Sequence, residues 1–161
     1  MNDDRIHRMV LTSPLGPMTI SEQNGAIIAL DWRSEPASDP TPLLRRAAKQ
    51  LAEYFAGKRH SFDLPLAPQG TAFQQKVWKR MAKIPYGKAI TYGDLAHAVG
   101  SAPRAIGGAC GRNPIAIILP CHRVIGGSGA LTGYSGAGGT NTKQFLLELE
   151  GALTPHFVLS A

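Results

Sequence analysis

One stretch of the chain combines residue types able to do nucleophilic chemistry: Pro120-Cys121-His122-Arg123-Val124, placed directly after the apolar run Ile115-Ala116-Ile117-Ile118-Leu119. A thiol next to an imidazole and a guanidinium has the neighbours of an activated nucleophile, because cations favour the thiolate. The same residues also fit a buried structural cysteine at a strand end, followed by a surface His-Arg pair. Free cysteine titrates at about pH 8.5, so little of it is thiolate at neutral pH. Activation therefore needs a base, and the base needs an orienting group. His122 is the adjacent base. Glu150 falls on the apolar arc of the last helical stretch, one turn from Leu146, where a carboxylate requires a partner or water at the helix end. Cys121, His122 and Glu150 together supply thiol, base and orienter, a set that a cysteine hydrolase would also use. Neighbours in an extended segment point to opposite sides, so a bridging water or a sharp backbone turn must connect Cys121 to His122.

These residues have to be positioned by the rest of the chain. The first third reads as a β-meander. Met9 to Thr12 is a strand, Ser13-Pro14-Leu15-Gly16-Pro17 a turn, and Met18 to Ser21 alternates at period two. Asn24-Gly25 signals a hairpin, followed by a third strand from Ala26 to Trp32. After a proline-rich loop the period becomes helical, with Leu44, Ala48 (beside Ala47), Leu51 and Phe55 on one face and Gly57 as the stop. Residues 60–65 read as extended and 65–70 as a linker. Thr71-Ala72-Phe73-Gln74 is a capping-box pattern opening a helix with Phe73, Val77 and Met81 on its apolar face, widened by Trp78. Thr91 caps a short helix from Tyr92 to Val99, which stops at Gly100. Pro103 opens another that runs to about Arg112. The last helix runs from about Thr142 to Glu150, with Phe145, Leu146 and Leu149 on its buried side. The boundaries expected are an N-terminal α/β lobe at 1–66, a second domain at 70–152 and a tail at 153–161.

Two short helices joined by a tight glycine turn form a helix-turn-helix pattern. The second of them reads Arg104-Ala105-Ile106-Gly107-Gly108-Ala109-Cys110-Gly111-Arg112. Three glycines and two alanines make a poor helix by propensity and carry none of the long side chains that read base edges. A bare face of this kind allows close backbone approach in a narrow groove with little sequence readout. Small residues would equally serve packing of the helix pair against itself. Ala130 to Gly139 is glycine-rich around Tyr134 and Ser135, without a phosphate-cradling pattern, and suits the wall of a binding pocket.

Composition sets bounds on these readings. The chain has 161 residues, 43% hydrophobic and 17% charged, and a net charge of +6, which favours a polyanionic partner. Two cysteines, Cys110 and Cys121, make neither a disulfide framework nor a zinc site, and a reducing compartment is expected. The polar, acidic start (Met1-Asn2-Asp3-Asp4-Arg5) and the absence of a long apolar run lead to the expectation of a soluble cytoplasmic protein without membrane contact.

Asn113-Pro114, the pentapeptide Pro120 to Val124, Gly133-Tyr134-Ser135-Gly136 and Leu146-Leu147-Glu148-Leu149-Glu150-Gly151 resemble the O6-alkylguanine-DNA alkyltransferase family, in order and spacing, over residues 70–152. The resemblance implies an α+β fold. It pairs a small N-terminal three-stranded antiparallel sheet with a helix (an RNase H-like lobe) with a mostly helical C-terminal winged helix-turn-helix lobe. It implies a single-use repair protein that moves the alkyl group of O6-alkylguanine, and of O4-alkylthymine, from DNA to its own cysteine. By resemblance Cys121 is the acceptor, His122 its base acting through water, Glu150 the orienter and Asn113 the brace of the active-site turn. Tyr92 matches the tyrosine that protonates or hydrogen-bonds the guanine. Arg104 matches the finger that fills the gap left by the flipped base; Ala105, Gly108 and Arg112 would line the DNA, and Tyr134, Ser135 and Val124 the flipped base. The implied partner is double-stranded DNA, held through the minor groove with little sequence preference by a monomer. No cofactor and no metal are expected, since the zinc-binding cysteines of some relatives are missing. A winged-helix regulator without catalysis and a Cys-His-Glu hydrolase are the competing readings.

Overall fold

The computed structural model describes residues 4–38, 40–127 and 140–152. The chain forms two compact units: residues 1–69 with 114–116, and residues 70–113 with 117–161.

In the first unit, β1 (His7–Ser13), β2 (Gly16–Gln23) and β3 (Ala26–Asp31) make an antiparallel meander in sequence order. The Asn24-Gly25 pair turns the second hairpin with both residues at positive φ, 52° and 79°, the geometry that matches strand twist. One face of the sheet buries Met18, Ile20, Ile27 and Leu30. Helix α1 (Pro42–Phe55) packs on β1 and β2, opened by Thr41, whose hydroxyl accepts from the Leu44 N–H. Its buried stripe is Leu44, Ala47, Leu51 and Tyr54. Phe55 and Ala48 are only half-buried, so the face expected from the sequence is rotated by one residue. Gln50 is drawn inward because its side chain makes two hydrogen bonds to the Asp63 backbone, through Nε2 at 3.1 Å and Oε1 at 2.9 Å. Residues 60–65 are irregular, and Leu66 and Ile115 join β3 as isolated parallel bridges, to Ile27 and Leu30.

The second unit is helical. Helix α2 (Ala72–Met81) starts with a complete capping box between Thr71 and Gln74. Val77, Trp78 and Met81 form its buried side, whereas Phe73 is 36% exposed. Trp78 displaces Phe73 as the anchor because its indole N–H also satisfies the Ala109 carbonyl at 2.9 Å. β4 (Ile90–Thr91) leads into α3 (Tyr92–Val99), capped by a second box between Thr91 and Asp94 and closed by Gly100 in the left-handed conformation. Helix α4 (Pro103–Gly111) follows and packs on α2 and α3. β5 (Val124–Ile125) pairs in parallel with β4, and α5 (Thr140–Leu149) completes the described part. The buried residues of α5 are Thr142, Lys143, Leu146 and Leu147. Phe145 and Leu149 are half-buried, which shifts the expected face toward a lysine.

The packing explanation for the glycines of α4 can be tested directly. The helix buries Ile106, Ala109 and Cys110. Outside the helix's own backbone, a Cβ placed on Gly107, Gly108 or Gly111 would meet no atom of the described residues within 4 Å. Packing among the described residues therefore does not require small residues there, and within them the helix bears a propensity penalty with no structural return. Gly107→Ala and Gly108→Ala should each stabilise the fold by about 0.5–1 kcal/mol in urea denaturation. A loss of stability would show that these glycines serve the fold after all.

Candidate active site

All described members of the expected catalytic set lie in the second unit. The run before the thiol is not a strand. Residues 116–118 turn, and Ile117 takes a left-handed φ of 69° with its side chain buried. A β-branched residue in that region is held there by its surroundings. The Asn113 side chain supplies one constraint, donating from Nδ2 to the Leu119 carbonyl at 2.7 Å across the turn. Cys121 then opens a short 3-10 turn, Cys121–Arg123, in place of the extended segment expected. At about three residues per turn, successive side chains diverge by a third of a turn rather than a half. This is the sharp bend the sequence required between Cys121 and His122.

The three side chains of this turn go to different places. Cys121 is 8% exposed. Burial pushes its thiol up, while a hydrogen bond from Asn113 and the positive charge of Lys143 oppose that shift. His122 is fully buried, with Nε2 2.7 Å from Glu150 Oε2. A carboxylate only accepts, so Nε2 carries the proton and Nδ1 presents a lone pair. Nδ1 has no hydrogen-bond partner among the described residues, the Cys121 sulfur included. Burial holds the imidazole below its ordinary pKa. Glu150 works against that shift, and Arg123 and Lys143 add to it. The resting pair is thus a protonated thiol and a neutral imidazole with its basic nitrogen unprotonated.

Arg123 does not sit by the sulfur as an activating cation. Its Nε donates to Glu150 Oε1 at 2.7 Å, one terminal nitrogen to Oε2 at 3.1 Å and the other to the Ile84 carbonyl at 2.7 Å. Its guanidinium also lies 5.8 Å from the centroid of the Tyr86 ring. Tyr86 in turn donates to the Leu149 carbonyl at 3.2 Å. Gly87, at φ 83°, brings the same turn against the end of α5, where a Cβ would stand 3.2 Å from the Glu150 carbonyl. The Ile84 to Gly87 turn thereby fixes the end of α5 and the carboxylate with it.

The remaining expected residues separate into groups. Arg104, Ala105, Gly108 and Arg112 are exposed and share the outer face of α4, opposite Ile106, Ala109 and Cys110. Tyr92, at the first position of α3, is half-buried, and its hydroxyl accepts from Lys143 Nζ at 3.2 Å. Val124 is fully buried and pairs with Ile90. Tyr134 and Ser135 lie outside the described residues. Sequence reasoning missed Lys143, Tyr86 and the pairing of Arg123. Only Lys143 left a signal, a cation three residues before Leu146 on the arc that also holds Glu150. The second cysteine, Cys110, is pushed up to about 12, mainly by burial, and its sulfur contacts Met81 Sδ at 3.9 Å. It is an inert packing thiol.

Removing the charge of Glu150 would leave the buried Arg123 guanidinium unmatched. Glu150→Gln should lower the unfolding free energy by about 3 kcal/mol in urea denaturation. A loss below about 1 kcal/mol, the size of a surface pair, would contradict this assignment.

Comparison with known proteins agrees with this geometry. The model of the 6-O-methylguanine DNA methyltransferase DNA binding domain matches residues 72–152, and that of the ribonuclease-like domain of the same proteins matches residues 6–68. The chain is 48% identical over 151 residues to the methylated-DNA--protein-cysteine methyltransferase of Methanosarcina barkeri, covering 88% of this chain and 94% of that protein. It is 47% identical over 151 residues to the constitutive enzyme of that name from Bacillus subtilis, covering 86% and 91%. Among solved structures, Mycobacterium tuberculosis OGT in complex with DNA superposes with a TM-score of 0.81 at 45% identity, over 91% of this chain and 93% of that one. With both units matched and the thiol, imidazole and carboxylate brought together inside the second, the chain belongs to the 6-O-methylguanine DNA methyltransferase family.

Proposed function

We propose that this protein repairs alkylated DNA by transferring the alkyl group from O6 of guanine to Cys121, once per molecule. The observation that carries the reading is the hydrogen bond between His122 Nε2 and Glu150 Oε2 at 2.7 Å. It leaves Nδ1 as a base one residue from a thiol whose burial keeps it protonated at rest. His122 takes the thiol proton through a bridging water. The sulfur pair then forms a bond to the alkyl carbon, the C–O6 bond breaks, and its electrons leave with the guanine. Tyr92 supplies the proton that the departing base needs. The resulting thioether offers no easy leaving path, so the protein is consumed. The chemistry requires a thiol, which places its work in a reducing compartment.

Reaching O6 requires the nucleotide to leave the stack, at a cost of a few kcal/mol that is lowest for a lesion that pairs poorly. The bare outer face of α4 suits a minor-groove approach without sequence readout, and Arg104 occupies the gap left in the duplex. O4 of alkylated thymine presents the same type of ether and is a second substrate on this reading.

Intact mass after incubation with an O6-methylguanine duplex should show one added methyl group on Cys121, at one equivalent per protein. Cys121→Ala should retain duplex binding and gain nothing, and Arg104→Ala should slow transfer by weakening flipping. Transfer by Cys121→Ala, or multiple turnover, would overturn the reading. The Gly107→Ala/Gly108→Ala variant should bind duplex more weakly than the parent while unfolding at higher urea; unchanged affinity would detach α4 from DNA binding.

A further inference from the structure

Charge is divided unevenly along the chain. The first unit holds eight Lys or Arg against eight Asp or Glu, and the second holds nine against three, so the whole of the +6 belongs to the second unit. Two of those nine cations, Arg123 and Lys143, are buried and add little to the surface. Of the seven others, only Arg104 and Arg112 lie on the outer face of α4. The remaining five are Lys76, Lys79, Arg80, Lys83 and Lys88, on α2 and the turn that follows it. All of them are exposed except Arg80, which is half-buried. None takes part in an ion pair among the described residues, and no Asp or Glu occurs between Gly70 and Gly93. The DNA contact proposed for α4 therefore uses the smaller share of the surface charge.

The larger share has a defined direction. At about 100° per residue, Lys76, Lys79 and Lys83 form one stripe of α2, centred roughly opposite the buried arc of Val77, Trp78 and Met81. That arc is the side turned to α4, since the Trp78 indole N–H donates to the Ala109 carbonyl at 2.9 Å. Ala109 in turn belongs to the buried side of α4, opposite Arg104 and Arg112. The two cationic faces thus point away from one another, and a straight duplex lying on α4 does not also lie along the stripe. From Lys76 to Lys83 the helix rises by about 10 Å, close to the axial span of three phosphates on one strand. Ala72 and Ala82 are the exposed apolar neighbours of the lysines. A face of lysines without a large apolar anchor has the wrong composition for a protein interface, where lysine is depleted and aromatic side chains are enriched. It has the right one for a phosphate backbone.

We propose that the Lys76, Lys79 and Lys83 face of α2 is a second docking surface for duplex DNA, taking the backbone of another segment while α4 holds the first. The proposal rests on the repair reading above, which puts the first segment on α4. Contact through phosphates carries no sequence information, so the second segment is held without regard to sequence or damage. A protein holding two segments passes from one to the other without entering free solution. That suits a protein obliged to sample much undamaged duplex for each lesion it finds.

The test follows dissociation of the full chain from a fluorescent undamaged duplex by stopped flow, as unlabelled duplex of the same length is raised in concentration. Simple dissociation has a rate independent of the competitor, whereas direct transfer through a two-segment complex makes the rate climb with it. The parent protein should show the climb. Lys76→Gln/Lys79→Gln/Lys83→Gln, which alters only exposed side chains, should show a flat rate. It should keep the parent's affinity for a single duplex and its rate of methyl transfer from saturating O6-methylguanine duplex. The triple Lys→Arg variant at the same positions should retain the climb. Between about 50 and 200 mM salt, neutralisation of three phosphates should weaken the competitor-dependent part roughly fortyfold. A flat rate in the parent, or a climb that survives in the triple Gln variant, would overturn the proposal. So would an equal climb with poly-glutamate as competitor, which would mark a general anion surface. Loss of single-duplex affinity in the triple Gln variant would place the stripe on the same duplex as α4 and overturn it too. A parent protein that binds no duplex or gains no methyl group would instead overturn the repair reading, a result distinct from any of these.

Discussion

The site depends on a single carboxylate divided between two partners. Glu150 gives one oxygen to His122 and both to the Arg123 guanidinium, with every side chain buried. Taking such ions out of water costs several kcal/mol each, and the cost is recovered only when geometry and hydrogen bonding are nearly complete. Completion comes from outside the triad, because the Ile84 carbonyl accepts a hydrogen bond from the remaining guanidinium nitrogen and the guanidinium carbon lies over the Tyr86 ring. Burial is the main influence that keeps His122 neutral, and Arg123 adds to it by offsetting the carboxylate charge. The carboxylate can then fix the tautomer without protonating the base. Without Arg123 the carboxylate would pull the imidazole pKa upward, opposed by burial alone among the larger influences.

A buried thiol paired with a neutral imidazole has a kinetic consequence. The thiolate is the species that oxidants and adventitious electrophiles attack, so keeping Cys121 protonated limits loss of a protein that reacts once. The opposing influences are already in place, with Asn113 hydrogen-bonded to the sulfur and Lys143 adding positive charge. They favour the thiolate only modestly against desolvation. On the function proposed above, deprotonation is thereby left to a stage at which a substrate occupies the site and the proton has a path to His122.

Much of this arrangement was legible in the sequence because it is local. The capping boxes at Thr71 and Thr91 and the stop at Gly100 are patterns within four residues, and the described helices start and end where those signals stand. Glu150 is legible from its angle on the helical wheel, which is also local. The features that were missed depend on tertiary partners. The buried arc of α5 turns toward Lys143 and Leu147 because the tyrosine hydroxyl on α3 receives the ammonium, and no spacing within α5 encodes that. Arg123 reads as an activating cation beside the thiol until its partner, 27 residues later, comes into view. The apolar run before Cys121 carries the composition of a strand, yet Ile117 at positive φ converts it to a turn that only the Asn113 brace and the surrounding core can impose.

On the function proposed above, helix α4 joins the fold to the DNA. By propensity it would not form alone, and isolated helices of its length are marginal even with better residues. It persists because Ile106, Ala109 and Cys110 are buried against α2 and α3, and because the Trp78 indole N–H binds the Ala109 carbonyl. Tertiary packing on one face thus sustains a helix whose other face is relieved of any structural duty. That outer face is where Arg104, Ala105, Gly108 and Arg112 lie, with a cation at each end and bare backbone between. Side chains there would strengthen the helix and widen it, and a groove only about 6 Å across in B-form DNA penalises width. On the function proposed above, the glycines are a stability cost borne by the inner face, which would let the helix backbone approach a duplex closely with an arginine at each end of the contact.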